Sequence, residues 1–188
     1  MYPNRNNELE VVSLFRGGYN ARFYLREISK LSKLPLKTCQ NALSNLEKAK
    51  VLKSKREGKN KYFSLNLKNI KTKLYLQQAE ICQTDRFVEK YPQFKMFLKS
   101  LETNASIIVF GSFAKFMADQ DSDLDLLVVS EKELKLPFHL LPLNLHQVNL
   151  TEEAYLKALK EQEDLIKEIE ENHIILNNHS FYLNIMWG

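Results

Sequence analysis

Cysteine is scarce in this sequence: two in 188 residues, Cys39 and Cys82, far apart and without a partner at metal-ligand spacing. Both read as reduced, structural thiols. His139, His146, His173 and His179 form no HxxxH pair and no Cys/His cluster, so a structural zinc site has nothing to rest on. No stretch approaches the roughly 18 consecutive apolar residues of a membrane span, and the opening Met-Tyr-Pro-Asn-Arg-Asn-Asn is polar where a signal peptide would be apolar. A cytoplasmic location with no membrane partner is the expectation. Residues 67–86 contain no Gly, Pro or Ser run, which excludes a floppy linker in mid-chain.

What is present is a folding composition: 44% hydrophobic and 11% aromatic residues in a length that admits one large domain or two small ones. Charge separates the halves. Residues 1–73 hold 17 of the 27 Lys and Arg against 5 of the 23 acidic residues, net +12, and residues 74–188 hold 10 against 18, net −8. A basic half suits a polyanion such as nucleic acid, which the acidic half would repel.

In the basic half, Leu9, Val12 and Phe15 or Arg16 sit at helical spacing before Gly17-Gly18. A second helix is predicted from about Tyr24 to Ser32, with Leu25, Ile28 and Leu31 inward. A third follows from Pro35, which fits a first helical turn, to about Lys50, burying Cys39, Ala42, Leu43 and Leu46. Its outer face then carries Lys37, Gln40, Asn41 and Asn45, side chains able to bond base edges or phosphates. Val51 to Ser54 and Lys61 to Leu65 read as short strands joined by the basic connection Lys55-Arg56-Glu57-Gly58-Lys59-Asn60.

The run Leu43-Ser-Asn-Leu46-Glu47-Lys-Ala49-Lys50-Val51-Leu52, continued by Arg56-Glu57-Gly58-Lys59-Asn60-Lys61-Tyr62-Phe63-Ser64-Leu65-Asn66, resembles winged-helix transcription regulators of the ArsR and MarR type. The resemblance covers about a third of the chain and implies a winged helix-turn-helix over residues 1–66 that binds DNA. Lys37, Gln40, Asn41 and Asn45 would lie on the recognition helix and Lys55, Arg56, Lys59 and Lys61 on the wing. One departure is Lys50, where such regulators usually place a left-handed glycine; keeping that backbone costs on the order of 1 kcal/mol.

Residues 67–90 form a predicted helical connector with Ile70, Leu74, Gln77 and Ile81 along one stripe, either a strut or the seam of a homodimer. Residues 91–188 then open with a helix near Tyr91-Pro92 carrying Phe94, Phe97, Leu98 and Leu101 inward. Ser106 to Phe110 is a short apolar strand, followed at once by Gly111-Ser112 and the start of a helix over Phe113 to Met117. After a polar turn the strand Asp123-Leu-Asp-Leu-Leu-Val-Val129 begins, and its period of two sends Asp123 and Asp125 to one side and Leu124 and Leu126 to the core. Two carboxylates so placed make an oxygen-only site suited to Mg²⁺, which in turn holds nucleotide phosphates. Gly111 lets a phosphate approach the backbone, Ser112 offers a hydroxyl and an N–H, and Lys115 lies one turn on as a phosphate contact.

The pattern Gly-Ser, ten residues, Asp-x-Asp arises by chance in a chain of this length roughly a few times in a thousand. Residues 106–129 resemble the minimal nucleotidyltransferases of the polymerase-β type. That resemblance implies an α+β, two-domain protein whose C-terminal domain has a short mixed sheet flanked by helices. It also implies Mg²⁺ or Mn²⁺ as cofactor and a nucleoside triphosphate as substrate. A nucleoside monophosphate would pass to a hydroxyl acceptor, which can be a protein, as in relatives that modify a toxin-like partner. Asp123 and Asp125 would be catalytic and bind metal, with Gly111, Ser112 and Lys115 binding nucleotide. Two departures stand out: Phe116 replaces a usual glycine, and the strand expected to bear a third carboxylate, Pro142 to Leu150, offers only Asn144, His146 and Asn149. The competing reading is therefore a DNA-binding regulator or antitoxin-like protein whose second domain senses a nucleotide or has lost activity. Finally, Thr151-Glu-Glu opens a predicted long amphipathic helix through Ile169, with an apolar segment at His173 to Leu176 and a closing turn or partner surface at Phe181 to Trp187.

Overall fold

The computed structural model describes residues 6–187, which gather into two compact units divided in sequence between Glu80 and Ile81. No helix among them is long and apolar enough to cross a membrane.

The first unit opens with α1 (Asn7–Ser13), whose first turn is closed by the Asn6 side chain accepting from the backbone of Glu8 (3.0 Å) and Leu9 (3.3 Å). It continues through β1 (Phe23–Tyr24), α2 (Leu25–Ser32), α3 (Leu36–Lys48), β2 (Leu52–Glu57) and β3 (Asn60–Leu65) into the start of α4 (Ile70–Lys90). The strands form an antiparallel sheet in the order β1-β3-β2. Val11, Val12, Phe15, Ile28, Cys39, Leu43 and Leu46 fill the core beneath it.

Three local expectations change. The strand β1 is too short to leave a period in the sequence, yet Phe23 and Tyr24 pair with Phe63 and Tyr62. The connection expected over Lys55 to Asn60 is mostly ladder: Glu57 faces Asn60, leaving only Gly58 and Lys59 as the turn, with Gly58 at φ +58°. Leu31 is 52% exposed rather than inward, because α2 turns only Ile28 and Ser32 into the core before ending at left-handed Lys33. Lys50 keeps the left-handed backbone of the glycine it replaces, at φ +58°. Its carbonyl accepts from the side-chain amides of Asn66 and Asn69, both at 2.9 Å, which help hold that turn.

In α4, Thr72, Leu76 and Ala79 face inward while Ile70 and Leu74 are exposed. Glu80 is fully buried and pairs with Arg16 at 2.6 Å.

The second unit comprises the rest of α4, then α5 (Phe94–Lys99), β4 (Ser106–Phe110), α6 (Gly111–Ala114), β5 (Leu124–Val129), β6 (Leu145–Leu150), α7 (Glu152–Glu161), α8 (Asp164–Glu171), β7 (Ile174–Asn177) and α9 (His179–Trp187). Its sheet runs β6-β5-β4-β7 and is mixed: β5 and β6 are parallel, and the other pairs antiparallel. This is the expected short mixed sheet between helices. Strand alternation builds two cores. Ile107, Val109, Leu124 and Leu126 pack with Phe87, Tyr91, Phe94 and Phe97, and Ile108, Phe110, Leu127 and Val129 pack with Tyr155, Ile166, Ile169 and Tyr182.

The predicted long C-terminal helix is two helices, because Gln162 takes a left-handed conformation (φ +52°) and turns the chain between α7 and α8. The apolar segment after His173 is β7, an added strand on β4, and the closing segment is helical.

Candidate active site

The Gly-Ser pair sits where β4 ends. Gly111 is buried at φ +66°, and a methyl group there would overlap Asp125 Oδ2 outright and lie 3.0 Å from its Cγ. Glycine is thus required twice, by the backbone angle and by the approach of a carboxylate. The helix that follows is a single turn: α6 ends at Ala114 and Phe116 swings into the left-handed region at φ +57°. The usual glycine is gone but its conformation is kept. The Phe116 ring stacks on Tyr91 at 6.5 Å and meets Phe87 edge-on at 6.3 Å, while Lys90 Nζ donates to its carbonyl. Those contacts offset the strain of a side chain in that region.

Between Phe116 and the acidic pair the loop is tied by Asp119, which accepts from the Ser122 hydroxyl at 2.7 Å and from the Asp121 backbone at 3.2 Å. The Ser122 bond, then that of Asp121, holds the Asp119 carboxyl below its ordinary value. This bracing was not legible beforehand beyond a polar turn.

Strand β5 begins at Leu124, one residue later than predicted, with Asp123 exposed just before it and Asp125 half-buried within it. The two flank the buried Leu124. Asp125 pairs with Phe110 on one side and with His146 on the other, sharing the face on which Leu127 and Val129 enter the second core. His146 Nδ1–H donates to Asp125 Oδ1 at 3.0 Å. Of the polar residues near the expected third-carboxylate position, His146 is the one that bonds to Asp125. Asn144 lends its backbone carbonyl to Leu124, and the Asn149 side chain accepts from Gln147.

Ser112 stands beside Gly111, half exposed. Lys115 is exposed and ion-paired with Glu168 of α8 at 3.0 Å. The structure thus brings Gly111, Asp125 and His146 into direct contact and engages Lys115 elsewhere. Among the described residues no three His, Cys, Asp or Glu side chains converge on one point as a ready cage for a metal.

The residues expected to meet DNA lie in the first unit. Lys37, Gln40, Asn41 and Asn45 are exposed on α3, and Asn45 donates to Glu8 at 3.0 Å. On the hairpin, Lys61 pairs with Glu47 at 2.7 Å and Lys55 with Glu57 at 3.3 Å, while Arg56 and Lys59 are exposed without an ion pair.

Neither the curated proteins nor the solved structures gave a match to the chain. A family model did: residues 92–178, from the residue before α5's cap to the residue after β7, match the model of the Nucleotidyltransferase domain, and the match lies within the second unit.

Proposed function

We propose that this protein is a divalent-metal-dependent nucleotidyltransferase joined to a DNA-binding winged helix. The observation that carries the reading is the seating of Asp125 against Gly111, next to Ser112 and two residues from exposed Asp123. Mg²⁺ is commonly held by one or two carboxylates completed by water and substrate phosphates, so two aspartates without a full cage fit this ion and Mn²⁺. When bound, the ion supplies charge neutralisation on the triphosphate. Asp123 and Asp125 would hold it, and Gly111 and Ser112 would face the phosphates. The acceptor hydroxyl oxygen bonds to the α-phosphorus, the bond from that phosphorus to the bridging oxygen breaks, pyrophosphate leaves and the hydroxyl proton is released. Exposed Asp123 and the open edge at β6 leave room for a bulky acceptor such as a protein.

The test is incubation of the full chain with Mg²⁺ or Mn²⁺ and each α-labelled nucleoside triphosphate, with and without cell extract. Transfer of label that vanishes in Asp123→Asn is the expected result. No transfer to any acceptor would count against the enzyme and favour a regulator whose domain senses nucleotide, a reading supported by the absence of a carboxylate on β6.

For the first unit, the order helix, strand, two helices and hairpin supports a winged helix, and unpaired Lys37, Arg56 and Lys59 support DNA as partner. Binding should weaken steeply with salt, and replacing Lys59 by Ala should lower the slope by about one unit on a logarithmic plot. Exposed Ile70 and Leu74 on α4 support pairing with a second copy, which light scattering of the Leu74→Lys variant checks.

A further inference from the structure

His146 makes a contact that the two-carboxylate site does not by itself require. It lies on β6, a parallel neighbour of β5, in register with Asp125; the next pairs on the same face, Leu127 with Val148 and Val129 with Leu150, run into the second core. Packing of those apolar pairs fixes the register, so the imidazole falls beside the carboxylate by construction. A carboxylate at a strand end turns freely about its last torsion. Here both oxygens are placed: Oδ1 accepts from His146 Nδ1 at 3.0 Å, and Oδ2 is backed by the Cα of Gly111, where no methyl group fits.

We infer that His146 is a positioning residue for Asp125, standing in the place of the missing third carboxylate and locking the plane of the Asp125 carboxylate for a single divalent cation. The inference rests on the proposed nucleotidyltransferase reading. The contact that carries this role is the Nδ1 bond to Asp125, through which His146 acts, and no three-ligand cluster exists among the described residues. Each carboxylate oxygen keeps a lone pair after accepting one hydrogen bond, so Asp125 remains able to bind the ion. An imidazole adds no negative charge, which leaves the site with two carboxylates rather than three and with one cation rather than two. Outer partners of metal-binding carboxylates commonly change affinity by about 10- to 100-fold.

The experiment is Mn²⁺ binding to the full chain in the presence of ATP, followed by electron paramagnetic resonance. The proteins compared are the wild type, Asp125→Asn, His146→Ala, His146→Asn and His146→Asp. His146 is 68% exposed by side chain, so its replacement leaves the fold in place, which thermal melting verifies. Wild type is expected to bind one Mn²⁺ and Asp125→Asn to lose it. His146→Ala should bind at least about tenfold more weakly. His146→Asn, whose amide donates from nearly the position of Nδ1, should recover most of that loss, and His146→Asp should raise the stoichiometry to two. Unchanged affinity in His146→Ala, while Asp125→Asn loses the ion, overturns the positioning role alone, as does a stoichiometry of one in His146→Asp. Mn²⁺ binding absent from wild type or indifferent to Asp125→Asn overturns the metal-site reading and the inference with it.

Discussion

The two units use their carboxylates in opposite ways. In the first they are few, and those of Glu8, Glu27, Glu47, Glu57 and Glu80 are each committed: Glu8 to Asn45 and Tyr75, Glu27 to the backbone of Tyr24, Glu47 to Lys61 and Ser54, Glu57 to Arg22 and Lys55, Glu80 to Arg16. They pin strands and helices together and leave most of the cations free. In the second unit carboxylates are plentiful, and the two of the Asp-Leu-Asp pair behave differently from those structural ones: Asp123 is exposed and Asp125 is clamped but accessible. A carboxylate placed to brace a fold is consumed by its partners, and one placed to hold an ion is oriented and left open.

The sharpest way to break this contrast is Gly111→Ala. The added methyl group meets the Asp125 carboxylate and a backbone that disfavours any side chain, so nucleotide transfer should fall by a factor on the order of 10² to 10³ even where the domain stays folded; activity matching wild type would show that the orientation of Asp125 does not matter. The counterpart in the first unit is Glu80→Ala. It removes the buried carboxylate that pairs with Arg16 at 2.6 Å and should cost about 3–5 kcal/mol in urea unfolding. Replacing both residues by apolar ones should restore much of that loss.

A second pair of substitutions sharpens the comparison at two left-handed residues. Phe116→Gly relieves the backbone but discards the ring contacts with Phe87 and Tyr91, so it should destabilise by about 2 kcal/mol. Lys50→Gly loses only an exposed side chain and should stabilise by about 1 kcal/mol. Equal signs for the two would mean that side-chain packing is not what sustains Phe116.

The smallest effect concerns pH. The bond from Lys61, followed by that from Ser54, lowers the Glu47 carboxyl below its ordinary 4.5. A depressed carboxylate contributes stability that is fully present above that ordinary value and lost as pH falls through the lowered one. Acid titration of wild type against Glu47→Gln should therefore show the first unit losing more stability below about pH 4.5 when Glu47 is present. Coincident curves would mean that the pair contributes nothing.

The sequence by itself determined the elements whose residues carry a period or a cap: α1, α3, the amphipathic C-terminal region, and the apolar strands on either side of Gly111-Ser112 and Asp123-Leu-Asp125. Local chemistry is sufficient there, because apolar spacing chooses the buried face before any partner strand is known. It also flagged Lys50 and Phe116 as residues in glycine's place, and both keep glycine's backbone angle. Tertiary structure alone decided the rest. Strand β1 exists because β3 offers it an edge; the C-terminal helix breaks at Gln162 because α7 and α8 both cover the sheet; β7 is a strand because β4 has a free side. The partnership of Asp125 with His146, 21 residues apart, follows from the parallel register of β5 and β6, which only the packing of their apolar pairs can set.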